Sequence, residues 1–223
     1  MTGPTTVPVT IRGMDAVVER ARAIAQQGGR RVIGIAGSPG AGKTTLAVAL
    51  VRALAEGDGG EPLRVCHVPM DGYHLADVEL HRLGRSERKG APDTFDADGY
   101  AALLERVRTA GAAETVYAPA FDRDLEQPLA GSIPVLPETS LVVTEGNYLL
   151  LGEISWLRAR AAMDEVWFCD LEDEETRRAR LVERHVRFGK TRAAAEAWVT
   201  QVDEPNAVLI AATARSADAL VLM

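Results

Sequence analysis

Hydrophobic positions along the chain fall into two rhythms. Residues 31–36, 63–68, 140–144, 165–169 and 220–223 are apolar at most positions, as strands buried on both faces are. Between them, apolar residues recur at helical spacing. Residues 12–27 place Val17, Val18, Ala21, Ile24 and Ala25 on one face and stop at Gly28–Gly29. Residues 46–54, 100–108, 150–160, 172–185 and 190–200 also read as helices, with a turn over 56–61. Two stretches, 74–98 and 117–137, are polar and irregular and read as loops. Strands alternating with helices predict an α/β fold, a mainly parallel sheet covered on both faces. Its functional residues are then expected beyond the carboxyl ends of the strands.

The junction between the strand at 31–36 and the helix at 46–54 carries the most specific chemistry. Gly37-Ser38-Pro39-Gly40-Ala41-Gly42-Lys43-Thr44-Thr45 matches G-x-x-x-x-G-K-[ST] in the strand–loop–helix context that gives the pattern meaning. Its glycines let the backbone curl so that successive N–H groups point at a phosphate. The helix that follows adds unpaired N–H groups and the positive end of its dipole. Lys43 is expected to neutralise the β- and γ-phosphates, with the Thr44 hydroxyl in the shell of Mg²⁺. A bound nucleoside triphosphate, ATP with Mg²⁺, is the expectation.

Three carboxylates fall at strand ends. Asp71, in Met70-Asp71-Gly72-Tyr73-His74, suits a general base that takes the proton of an acceptor hydroxyl, with Tyr73 and His74 lining an acceptor pocket. A metal or turn carboxylate is the alternative. Glu145, closing Leu141-Val-Val-Thr-Glu145, suits a metal-bound water or a substrate hydroxyl; a structural turn, or orientation of water in a switch NTPase, is the other reading. Asp170 reads equally as a cap for the helix after it.

Arg177, Arg180 and Arg184 recur at three- and four-residue spacing, and the run continues through His185 and Arg187 to Gly189-Lys190. A lid over about 177–192 uses such cations, Arg180 and Arg184 foremost, to stabilise a transferring phosphoryl; a solvated helix face is the bland reading. Arg88, Phe95, Phe121, Asp122 and Arg123 are candidate acceptor contacts, although Phe95 and Phe121 serve equally as core under loops. Arg88 and Arg123 suit a hydroxyl-rich or acidic acceptor.

Bulk properties narrow the class. The 223 residues suit one α/β domain, with the 12–28 helix as an N-terminal addition. A net charge of −7 without a basic stripe argues against nucleic acid, and no run is long and apolar enough to span a bilayer. Cys66 and Cys169 read as buried free thiols, and the N-terminus lacks a signal-peptide pattern, so a reducing cytoplasm is expected. A GTPase or ATPase switch is the competing class, but the guanine-reading Asn-Lys-x-Asp element is missing from the sequence.

With these residues in view, the chain resembles the uridine kinase, phosphoribulokinase and pantothenate kinase superfamily of P-loop small-molecule kinases. It looks closest to a bacterial nucleoside/nucleotide kinase-like branch that includes fructose-transport-associated kinases. The likeness runs from about Arg31 onward and rests on MDGYHL (70–75), RKGAPDTFD (88–96), FDRDLEQP (121–128), VVTEGNYLLL (142–151), RLVERHVRFGK (180–190) and DEPNA (203–207). It implies a three-layer P-loop NTPase fold with a five-stranded parallel sheet and a small helical lid. It further implies transfer of phosphate to a small metabolite's hydroxyl, acceptor segments at 71–98 and 117–137, and Asn206 and Thr213 near the adenine. Dimers are common among relatives, which implies a homodimer. Uridine kinases carry an Asp-x-Phe-Tyr motif where this chain has Asp71-Gly-Tyr-His74, so the resemblance leaves the acceptor open among nucleosides, sugars and pantothenate-like acids.

Overall fold

In the computed structural model, residues 7–171 and 173–223 are described. The chain opens on a strand that its apolar rhythm does not betray, β1 (Val9–Arg12), in which Ile11 alone is buried, followed by α1 (Met14–Ala25). Then come β2 (Arg31–Ala36), α2 (Lys43–Glu56), β3 (Val65–Pro69), α3 (Asp77–Arg82) and α4 (Ala97–Thr109). A pair β4 (Val116–Asp122) and β5 (Gln127–Val135) precedes β6 (Leu141–Glu145), α5 (Ile154–Ala161) and β7 (Glu165–Asp170). The last third is α6 (Glu174–Arg187), α7 (Arg192–Trp198), a π-helical turn over Val199–Asp203, α8 (Glu204–Ala211) and β8 (Ala219–Leu222). The charged helix expected from 172 has its first expected residue, Glu172, outside the described residues.

Among the described residues the main sheet has six strands, all parallel, in the order β1-β8-β7-β2-β6-β3. This corrects the expected count of five: Val9–Arg12 pairs with Ala219–Leu222 and covers an edge that β8 would otherwise expose. On one face α1 and α2 set Val17, Ala21, Leu46 and Leu50 against Ile33, Ile35, Val143 and Trp167. On the other, α4 and α5 bring Tyr100, Leu104 and Trp156 onto Val32, Val142, Val166 and Phe168. Three layers result, and no helix among the described residues is long and apolar enough to cross a membrane.

Two further expectations need correction. Residues 117–137 are not a loop: β4 and β5 form an antiparallel hairpin from Val116↔Val135 to Asp122↔Gln127, with an irregularity between Ala118 and Ala120. Pro119, Pro128 and Pro134 mimic loop composition, but in a two-stranded ribbon a missing N–H can face outward at no cost to the ladder. The helix expected at 150–160 starts only at Ile154, because Tyr148–Leu151 forms a buried turn under it.

Candidate active site

A cleft of about 690 Å³ opens along the carboxyl ends of β2, β6 and β3. The strand order decides what meets there. β6 lies between β2 and β3, with Glu145 in register with Ile35 on one side and Pro69 on the other. Glu145 therefore stands between the phosphate loop after β2 and the Met70–Tyr73 turn after β3.

On the donor side, Pro39, Lys43 and Thr44 line the cleft. Gly37 has φ +151°, and a Cβ there would lie 2.5 Å from the Cys169 carbonyl oxygen of β7, so the loop leaves the sheet through a gap only glycine fits. Ser38 and Ala41 are buried members of the loop, and Thr45 is exposed on α2 outside the lining. Lys43 is itself buried, its Nζ donating to the Ser38 carbonyl at 3.0 Å. Burial lowers its pKa, and the nearby Glu145 opposes that.

Thr44 Oγ1 donates to Glu145 Oε1 at 3.0 Å. Burial pushes the Glu145 carboxyl up to about 7; Asp71 adds to the rise and Lys43 counters it. A hydroxyl and a carboxylate at the mouth of a phosphate loop form a hard-oxygen pair suited to Mg²⁺.

Asp71 lines the same cleft from the turn after β3. Burial favours its protonated form, but His74, Arg123, Arg184 and Lys43 together hold its pKa below the usual range. Arg123 forms an ion pair with the Asp71 carboxylate, and His74 Nδ1 donates to the Asp71 carbonyl at 2.8 Å. The turn is clamped onto the hairpin at Gly72, where a Cβ would meet the Pro119 carbonyl oxygen at 2.3 Å. His74 packs between Phe95 and Phe121, with ring centroids at 4.0 and 4.7 Å, and Arg123 lies over Phe121 at 4.9 Å. His74, Phe95, Phe121 and Arg123 all line the cleft.

Other expected acceptor contacts lie elsewhere. Tyr73 turns to pack edge-on against Tyr100, 5.4 Å away between ring centroids. Arg88 is spent on Asp93 at 2.6 Å. Asp122 holds the hairpin turn, accepting from the Asp124 and Leu125 N–H groups at 2.9 Å each. Lys89, beside Arg88, lines the cleft instead, with its Nζ 2.6 Å from Asp77 and 5.5 Å from the Phe121 centroid. The sequence signal for it was the same basic pair, one residue on.

The segment expected to form a lid is α6 with α7. Arg184 lines the cleft, whereas Arg180 is exposed outside the lining. Arg177, read only as part of the charged face, is 2% exposed and donates to the Pro39 carbonyl at 3.1 Å and to Glu174 at 2.7 Å, and also to Glu204. It ties the helix to the phosphate loop. Farther along, His185 donates from Nε2 to Asp203 at 2.8 Å, and Lys190 stacks over Trp198 at 4.3 Å. The cap of α6 is Asp173, which accepts from the Glu175 N–H at 3.1 Å, rather than Asp170 at the end of β7. Asn206 is buried against the cleft, and Thr213, outside the lining, bonds the Ile210 carbonyl at 2.7 Å.

Comparison with known proteins agrees with this geometry. No family model matches the chain. It is 34% identical over 183 residues to a provisionally named uridine kinase, C227.14, of Schizosaccharomyces pombe, covering 80% of this chain and 76% of that one. It is 39% identical over 146 residues to the ATP-dependent kinase-like protein notR' of Aspergillus versicolor, covering 62% of this chain and 84% of the relative. The crystal structure of a provisionally named fructose transport system kinase from Silicibacter sp. TM1040 superposes with a TM-score of 0.81 at 34% identity, covering 94% of this chain and 98% of that one. With a phosphate loop, a parallel sheet and relatives of this length and identity, the chain belongs to the P-loop kinases of the uridine kinase and pantothenate kinase superfamily and is an ATP-dependent kinase.

Proposed function

We propose that the protein transfers the γ-phosphoryl group of Mg²⁺-ATP to a hydroxyl of a small metabolite, a sugar, nucleoside or related alcohol. The observation that carries this reading is one cleft with the phosphate loop at one end and Asp71, backed by His74, Phe121 and Arg123, at the other. Hydrolysis alone would need only the donor half. A volume of about 690 Å³ leaves room for a second substrate beside a nucleotide's phosphates.

In the reaction the acceptor oxygen attacks the γ-phosphorus and the bond to the β-bridging oxygen breaks, leaving ADP. The acceptor's proton passes to the Asp71 carboxylate. Lys43 and Arg184 from the lid balance charge on the transferring group. Thr44 and Glu145 would hold Mg²⁺, which when bound neutralises the β- and γ-phosphate oxygens. Asn206, buried at the cleft wall, is assigned to the nucleotide. Arg123 keeps guanidinium donors beyond the one paired with Asp71, which suits an acceptor rich in hydroxyls or bearing an acidic group.

The test is ADP release from Mg²⁺-ATP against nucleosides, sugars, polyols and pantothenate-like acids, with products weighed by mass spectrometry. A saturable product heavier by one phosphoryl group is expected. ADP release that no acceptor raises, with free phosphate as the only product, would sink the proposal.

A further inference from the structure

Among the described residues, one buried side-chain nitrogen or oxygen has no hydrogen-bond partner: Nε2 of His67. The imidazole stands on β3, in register with Val143, two residues before Pro69 reaches the level of Glu145. In a parallel pair, registered residues share a face, so His67, Val143 and Glu145 all point to the side that α2 covers. His67 Nε2 ends 3.9 Å from Glu145 Oε1, whose own partner on α2 is the Thr44 hydroxyl at 3.0 Å. His67 and Thr44 both approach Glu145 Oε1, and the gap between imidazole and carboxylate is about one ångström longer than a normal hydrogen bond.

A buried imidazole nitrogen without a partner is costly and calls for an explanation. A ligand-bound arrangement in which the carboxylate moves slightly, or one water bridges the gap, provides it. We propose that His67 is a positioning residue for the metal–nucleotide end of the site: its Nε2–H engages Glu145 when the carboxylate turns to serve Mg²⁺-nucleotide, and fixes the plane of that carboxylate. His67 touches neither nucleotide nor acceptor; it acts through Glu145, as the outer partners of metal-binding carboxylates do. The inference rests on the assignment of Glu145 to the Mg²⁺ site.

The experiment is calorimetric titration of the full chain with a non-hydrolysable ATP analogue, adenylyl imidodiphosphate, across a Mg²⁺ series and in EDTA. His67→Leu should raise the Mg²⁺ concentration for half-maximal binding by about tenfold or more. Affinity in EDTA should stay within about twofold of the parent, because the purine and phosphate contacts are intact. His67→Gln, whose amide N–H reaches a similar position, should recover most of the loss. In a double-mutant cycle, His67→Leu should add nothing to Glu145→Gln. If the leucine variant loses its cooperative melt, His67→Met replaces it in the same comparison.

Equal losses with and without Mg²⁺, or no rescue by glutamine, would mean that His67 only packs, and would overturn the inference while leaving Glu145 its role. An unchanged Mg²⁺ requirement in Glu145→Gln would remove the metal assignment itself, and this proposal with it.

Discussion

At Asp71 two influences oppose each other: burial favours the neutral acid, and His74, Arg123, Arg184 and Lys43 favour the carboxylate and prevail. The proposed base is therefore ionised at neutral pH before any substrate arrives. Asp71→Asn should lower kcat by about 10²–10⁴-fold while Mg²⁺-ATP affinity, measured by titration, stays near the parent's. A parallel loss of nucleotide affinity would instead mark Asp71 as part of the metal site. Glu145 behaves in the opposite way. Its folded pKa of about 7 lies above the ordinary carboxylate value, so between roughly pH 4.5 and 7 the native state holds a proton that the unfolded chain releases. Its contribution to stability falls as pH rises through that window and is gone above it. Glu145→Gln should gain on the parent by on the order of 2 kcal/mol between pH 5 and pH 8 without ligands, read from urea unfolding at each pH. A constant difference across that range would show that the carboxyl is not perturbed.

The phosphate loop and the helix behind it depend on contacts between elements. Gly37→Ala would drive a Cβ into the Cys169 carbonyl of β7, and neither backbone can yield without parting two strands. Calorimetry should show nucleotide binding weakened by more than about tenfold, with strain at the loop rather than global unfolding as the cause. Arg177→Met would strip the Pro39 carbonyl of its donor and leave Glu204 with Arg178 alone. Because Glu204 is partly exposed, a loss of about 2–3 kcal/mol in urea unfolding is expected, below that of a fully buried pair. The same elements show what a sequence can reveal. β2, β6 and β7 were legible because parallel strands covered on both faces must be apolar almost throughout. The β4–β5 hairpin was not, since a two-stranded ribbon exposes residues and tolerates proline, so its composition is that of a loop. The loop motif, Asp71 and Glu145 were legible from strand ends, and the structure does bring them to one cleft. Which of two neighbouring cations turned inward, Lys89 over Arg88, depended on Asp93 and Asp77, and no spacing rule contains that information.

At the scale of the molecule, residues of α2, β4, β6 and α6 line the cleft, so a ligand there stabilises the whole fold. At one hundred times its Kd, Mg²⁺-ATP should add about 2.7 kcal/mol, which for a chain of this size raises Tm by roughly 5–10 °C. Scanning calorimetry with and without Mg²⁺ checks this; an equal shift in EDTA would remove the metal from the binding energy. The order of the strands carries a different consequence. β3 is an edge, and the turn and hairpin that shape the acceptor end lie beyond it, two strand spacings, about 10 Å, from the strand that leads into the phosphate loop. Substitutions on that flank can reshape the acceptor end without disturbing the ATP machinery, which gives such a scaffold the means to diversify its substrates while its chemistry stays fixed.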